Sequence, residues 1–177
     1  MPNRPVINRV ALLYIFILTI AKFAMAQSPC GVPDSLQKAI ATKYGDARIL
    51  QSSDLSPDDR EMFANDHGAR CPGLTSVDFY GDGKPTWAVI LLVSNPKPHA
   101  ELVLAHESVN GTEVKYLNSA NQESAVVWSQ AAGNYEDAET GKIIHAVHPV
   151  ILFVGYDSWA IAYAWINNRI EKVWLQD

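Results

Sequence analysis

Between Asp78 and Thr86 the chain sets Asp78, Tyr80, Asp82 and Thr86 around two glycines, Gly81 and Gly83. Oxygen-bearing side chains so close together on a bending backbone suit a hard cation. The same residues also make a plain Gly-Asp-Gly hairpin turn that needs no ion. Other groups with chemical potential are scattered. His145-Ala-Val-His148 has the gap of some metal pairs, but on a strand residues three apart point to opposite faces. Pro149 marks a strand junction there, and no HExxH motif supplies an acid. His67, His99 and His106 stand alone, so the histidines read as solvated or hydrogen-bonded side chains. Ser158 follows Gly155-Tyr-Asp without forming a G-x-S-x-G elbow. The adjacent acids Asp58-Asp59 and Glu136-Asp137 read as solvated charge rather than a glycosidase pair.

Residues 1–26 read as a secretory signal peptide. Arg4 and Arg9 precede an apolar run from Val10 to Ile20, and Ala24-Met25-Ala26 fits the cleavage pattern. The run is shorter than the roughly 20 residues that span a bilayer, and Lys22 interrupts its end, so no membrane span is expected after cleavage. Removing three basic residues and no acidic one takes the formal charge from −5 to −8. An acidic, exported chain without a basic cluster argues against nucleic acid and against anionic membrane surfaces as partners. Cys30 and Cys71, the two cysteines, are then most simply a disulfide in an oxidising compartment, periplasmic or secreted.

The remaining 27–177 is long enough for one domain with its own core. Asp34 with Gln37 suggests a capping box, Leu36, Ile40 and Tyr44 form an apolar stripe, and Gly45 stops the helix. Ala47 to Gln51 is a short strand. Ser56 caps a second short helix that Pro57 opens and Gly68 ends. From Leu74 onward the pattern is β. Leu74–Tyr80 and Thr86–Val93 flank the glycine turn, and Trp87 to Val93 is apolar enough to be covered on both faces. Asn110-Gly111 marks a hairpin, and Ser124–Ser129 reads as another strand. Ala131 to Gly141 reads as an exposed, mobile loop. Val150–Tyr156, Trp159–Ile166 and Arg169–Trp174 close the chain, with turns at Asp157-Ser158 and Asn167-Asn168. Trp159, Ile161, Tyr163 and Trp165 share one face of the middle strand, and Ala160, Ala162 and Ala164 the other. Small residues admit a close neighbour, so the N-terminal helix is expected on the alanine row. The fold class is α+β: an antiparallel meander sheet with an amphipathic N-terminal helix packed on it and a short second helix.

Two resemblances add to this. The turn resembles the D-x-N-G-D-G-x-x-D loop of FG-GAP and VCBS-type repeats. That resemblance implies calcium as the ion, Asp78, Asp82 and Thr86 as side-chain ligands, and the Lys84 carbonyl at the main-chain position. Tyr80 and Thr86 stand where those loops carry Asn or Asp and a terminal acid. A calcium-stabilised domain would melt higher in calcium than in chelator. More widely, C-P-G-L-x-x-V-D-F-Y-G-D-G-K-P-T-W-A, G-N-Y-E-D, V-G-Y-D-S-W-A-I-A-Y-A-W and a final W-L-Q-D resemble a family of small exported bacterial proteins of unknown function. This implies an architecture and a compartment, and no activity. The expectation is an exported non-enzymatic binding or envelope-interaction protein. The rival is a hydrolase assembled from distant residues, with His145 or His148 near the acids of 133–139.

Overall fold

The computed structural model describes residues 30–94, 97–120, 125–156 and 158–176, the last without its side chain. The expected export signal, Ser124 and Asp157 lie outside the described residues. The protein is an α+β fold. In chain order it has α1 (Asp34–Tyr44), β1 (Arg48–Ile49), a short 3-10 turn (Ser52–Asp54) and α2 (Pro57–His67). Then come β2 (Leu74–Val77), β3 (Thr86–Val93), β4 (His99–Ser108), β5 (Gly111–Ala120) and β6 (Ala125–Gln130). Last are β7 (Gly133–Glu136), β8 (Ile143–Ala146), β9 (Val150–Gly155), β10 (Trp159–Ile166) and β11 (Arg169–Gln176).

The strands do not form one meander. One sheet runs β1-β3-β4-β5, with β2 also paired to β3; a second runs β11-β10-β9-β6; β7 and β8 make a separate ribbon. All pairings are antiparallel. The two large sheets pack face to face. Ala88, Ile90 and Leu92 of β3 join Ile151, Phe153 and Ile161 of the second sheet in one core. Val89 and Leu91, on the opposite face, join Leu36 and Ile40 of α1 in another. The unbroken apolar run of β3 is thus explained, because both of its faces are covered.

Along one side the sheets are stitched together. The Val127 N–H donates to the Pro72 carbonyl at 2.8 Å, and the Ile90 N–H donates to the Gly73 carbonyl at 2.9 Å. On the other side, between β5 and the β10–β11 pair, they stand apart and leave an opening. The disulfide Cys30–Cys71, with its Cα atoms 5.0 Å apart, ties the start of α1 to the start of this stitched corner.

Three further expectations are corrected. The N-terminal helix covers the first sheet rather than the alanine row. Ala162 and Ala164 are buried, and the β7–β8 ribbon lies against β10 and β11. Small side chains did admit a close neighbour, but that neighbour is a ribbon. Second, Ala131 to Gly141 is not all loop, because Gly133–Glu136 forms β7, although most of its residues are exposed as expected. Tyr135 in β7 is buried, and Asp137 is buried in the turn that follows. Asp137 accepts hydrogen bonds from the Thr140 N–H and hydroxyl and from the Trp174 N–H. It thereby satisfies the open edge of β11. Third, Asp34 is the first helical residue and not the cap; Pro33 holds that position without a side-chain bond. Ser56 does cap α2, accepting from the Asp59 N–H.

The bonds to Asp137 give a pH prediction. Its carboxyl is held below its ordinary range, first by the Thr140 hydroxyl and then by the Trp174 N–H. A depressed folded-state pKa contributes stability above the unfolded value of about 3.9 and loses it as pH falls through the folded value. The melting temperature of Asp137→Asn is therefore expected to lie below the wild type at pH 7, with the gap narrowing below pH 4. A gap of constant size across that range would mean that the charge plays no part.

Candidate functional site

The glycine turn joins β2 to β3 and is held by its own acids. Asp78 accepts the Asp82 N–H at 3.1 Å on one oxygen and the Gly83 N–H at 3.0 Å on the other. One Asp82 oxygen accepts the Lys84 N–H at 3.1 Å; the second lies 3.1 Å from Nε2 of His106. His106 Nδ1 is in turn 3.1 Å from the hydroxyl of Thr86. Thr86 and His106 face each other in the β3–β4 register, which explains how residues twenty apart meet. The Asp82 carboxyl is held below the usual range chiefly by the Lys84 N–H, with His106 and Lys84 adding attraction. The three proposed metal ligands thus sit close in sequence but point to different tasks: Asp78 into the turn backbone, Asp82 to His106, Thr86 beneath that imidazole. Among the described residues no group of three or more His, Cys, Asp or Glu is arranged to hold a metal.

An acid, an imidazole and a hydroxyl in series have the composition of a nucleophile relay. Here the arrangement is closed. Thr86 is fully buried, so no substrate reaches its hydroxyl. With the proton on Nε2, His106 donates to Asp82 and accepts from Thr86, and both ring nitrogens are occupied. The relay fastens the turn to β4. Tyr80 extends this fastening across the opening, with its ring 4.8 Å from His106 and 4.8 Å from Trp165 of β10. Burial pushes its hydroxyl pKa up.

His148 holds the turn from the far side. A Cβ added to Gly81 would lie 2.0 Å from the His148 ring, and Gly81 has φ +71°. Gly83 has φ +77° with nothing within 4 Å of its Cβ position. Gly83→Ala is therefore expected to cost only the left-handed backbone term of about 1–2 kcal/mol. Gly81→Ala should cost more in thermal denaturation, and adding His148→Ala should bring the two close together. Equal losses for the two single variants would show that the ring does not press on the turn.

The other histidines do not converge. His145 Nδ1 bonds the side chain of Asn134, its cross-strand neighbour on the exposed face of the ribbon, at 2.7 Å. Asp137 is engaged with Thr140 and Trp174, and His148 lies on Gly81. His67 packs between Phe63 and Trp128, where α2 meets the outer face of β6.

The opening between the sheets holds two cavities. One, of about 340 Å³, is lined by Tyr80, Asp82, His106, Glu113, Lys115 and Trp165. The other, of about 520 Å³, lies towards the opposite end of β10 and is lined by His99, Asn118, Trp159, Ile161, Lys172 and Trp174 among others. Trp159 rests on Phe153, with ring centroids 4.7 Å apart, and the Lys172 ammonium lies 4.1 Å over the Trp174 ring. His99 is already used: Nδ1 meets the Lys97 carbonyl at 2.8 Å and Nε2 meets Glu101 at 2.9 Å. The Lys97 carbonyl first, and then Glu101, raise its pKa.

Tyr163 sits between the two cavities on the same face of β10. Its hydroxyl is buried beside the Asn118 side chain, and burial pushes its pKa up to about 12. The aromatic face of β10 was legible from its alternation. That the first sheet would stand opposite it was not, because the inward residues of β5 depend on a bulge at Leu102/Val103. The partners of His106 were detectable in principle, since pairing the two strands across the loop sets Thr86 against it.

Comparison with models of protein families, with curated proteins and with solved structures finds no match to this chain.

Proposed function

We propose that this is an exported, non-enzymatic binding protein whose partner enters the opening between the two sheets. One observation carries the reading. The opening is lined by Trp159, Trp165 and Trp174, while the acid–imidazole–hydroxyl relay on its wall has its hydroxyl fully buried and both imidazole nitrogens bonded. Tryptophans in a cleft offer large contact areas at low entropic cost, which suits recognition. The cavity of about 520 Å³ falls within the size range of small-ligand pockets. The Cys30–Cys71 disulfide fits an oxidising compartment. Among the described residues no helix is long and apolar enough to cross a membrane.

The hydrolase alternative has less support, because His145, His148 and Asp137 each serve a different structural neighbour. The test is affinity capture from envelope extracts with the wild-type protein and with a Trp159→Ala/Trp174→Ala variant. The expected result is a component held by the first and lost by the second. Identical capture by both would remove the opening as the contact surface.

A further inference from the structure

The larger cavity has a polarity that narrows what it can take. Lys172 is exposed and has no carboxylate partner among the described residues, whereas the neighbouring Glu171 is paired with Arg169. Its ammonium is held in place over the Trp174 ring by the electron-rich indole face. The other basic side chain of the lining, His99 on the facing sheet, is spent on Glu101. A single positioned cation on an acidic protein thus stands at the mouth of a groove floored by Trp159 and Ile161. Asn118 on the facing strand offers its amide N–H groups, its side-chain oxygen already accepting the Ser119 N–H at 2.9 Å. Deeper in, the buried Tyr163 hydroxyl has the Asn118 side chain as its polar neighbour.

We infer that the Trp159–Trp174 groove binds an acidic sugar unit, its carboxylate on the Lys172 ammonium that Trp174 positions, a carbon-bound hydrogen face on the Trp159 indole and a hydroxyl on Asn118. This rests on the reading of the opening as a binding surface and gives it a ligand class. A sugar ring has apolar faces and a polar rim, which matches a wall that alternates indoles with hydrogen-bonding tips. The quadrupole of an indole, negative on its face, favours the weakly positive C–H groups of such a ring. A neutral ligand would leave the Lys172 charge unused. An acidic peptide would satisfy the charge, but it lacks the flat C–H face.

The test is calorimetric titration of the purified protein with oligogalacturonate, its methyl ester, a neutral malto-oligosaccharide and a tetraglutamate peptide. Oligogalacturonate should bind saturably and the ester at least about tenfold more weakly, the scale of one hydrogen bond to a charged group. Lys172→Met should reduce the acid to the level of the ester without weakening the ester further, and Lys172→Arg should keep the discrimination. Trp159→Ala should weaken both ligands, and Trp165→Ala, in the smaller cavity, neither. Unchanged melting curves would show that the variants are folded. Equal affinity for acid and ester overturns the inference, as does binding of the peptide in place of the sugars. If no sugar binds while extract capture still depends on Trp159 and Trp174, the acidic-sugar inference fails alone. If that capture dependence is also absent, the binding reading falls with it.

Discussion

Replacing Cys30 and Cys71 together by serine is expected to destabilise the fold by about 4 kcal/mol, the loop-entropy value for a closure of this length. The sequence separation is 41, and the closed loop contains α1, β1 and α2. These elements are thinly attached. Leu36 and Ile40 are the buried side chains of α1, and Phe63 is the buried one of α2. Each such side chain contributes about 1.5–3 kcal/mol, so the cross-link rivals the packing of either helix. The melting temperature should fall on the order of 10 °C, and wild type in reductant should approach the variant. Hydrogen exchange should rise first in α1 and α2, while β3, β4 and β9 stay protected. A loss below about 1 kcal/mol would mean that the two helices hold their positions without the tether.

Phe153→Ala is expected to cost about 3–5 kcal/mol in urea unfolding, the usual range for emptying a large aromatic site. Phe153 is fully buried in β9 and sits in register between Val127 of β6 and Ile161 of β10. It belongs to the core shared by the two sheets, so its loss leaves a void where they meet. It also supports Trp159, whose ring rests on it. The variant should therefore show altered tryptophan emission along with the lower midpoint, joining core packing to the shape of the groove. Since domains are stable by only about 5–15 kcal/mol, either change takes a large fraction of the total. A Phe153→Leu variant that loses as much as alanine would show that shape and not volume is limiting there.

Much of the local structure was readable in the chain. Gly45 and Gly68 stop their helices, Ser56 caps α2, and Gly111 opens β5 after the Asn110 turn. Asn167 and Asn168 both take positive φ in the last hairpin, as a tight two-residue turn requires. What failed was the reading of Ala131 to Gly141 as loop by composition. Its polar residues suggested solvent, yet Asp137 uses its charge to fasten a strand edge and Tyr135 supplies core. Polarity does not separate a solvated acid from one that is bonded inside the fold.

The glycine turn shows the same division. Asp78, Asp82 and Thr86 were picked out as oxygen donors, and oxygen donors they are, but the acceptors found partners within the protein. Sequence alone determined where the chain bends, which strands alternate and which residues can cross-link, because φ/ψ preferences and periodicity act over a few neighbours. Tertiary structure decided the rest. It split the strands into two sheets, laid the ribbon on the alanine row, set Thr86 beneath His106, and opened a groove between Asn118 and Trp174. Those outcomes depend on which distant surfaces bury each other, and hydrophobic burial has no direction of its own.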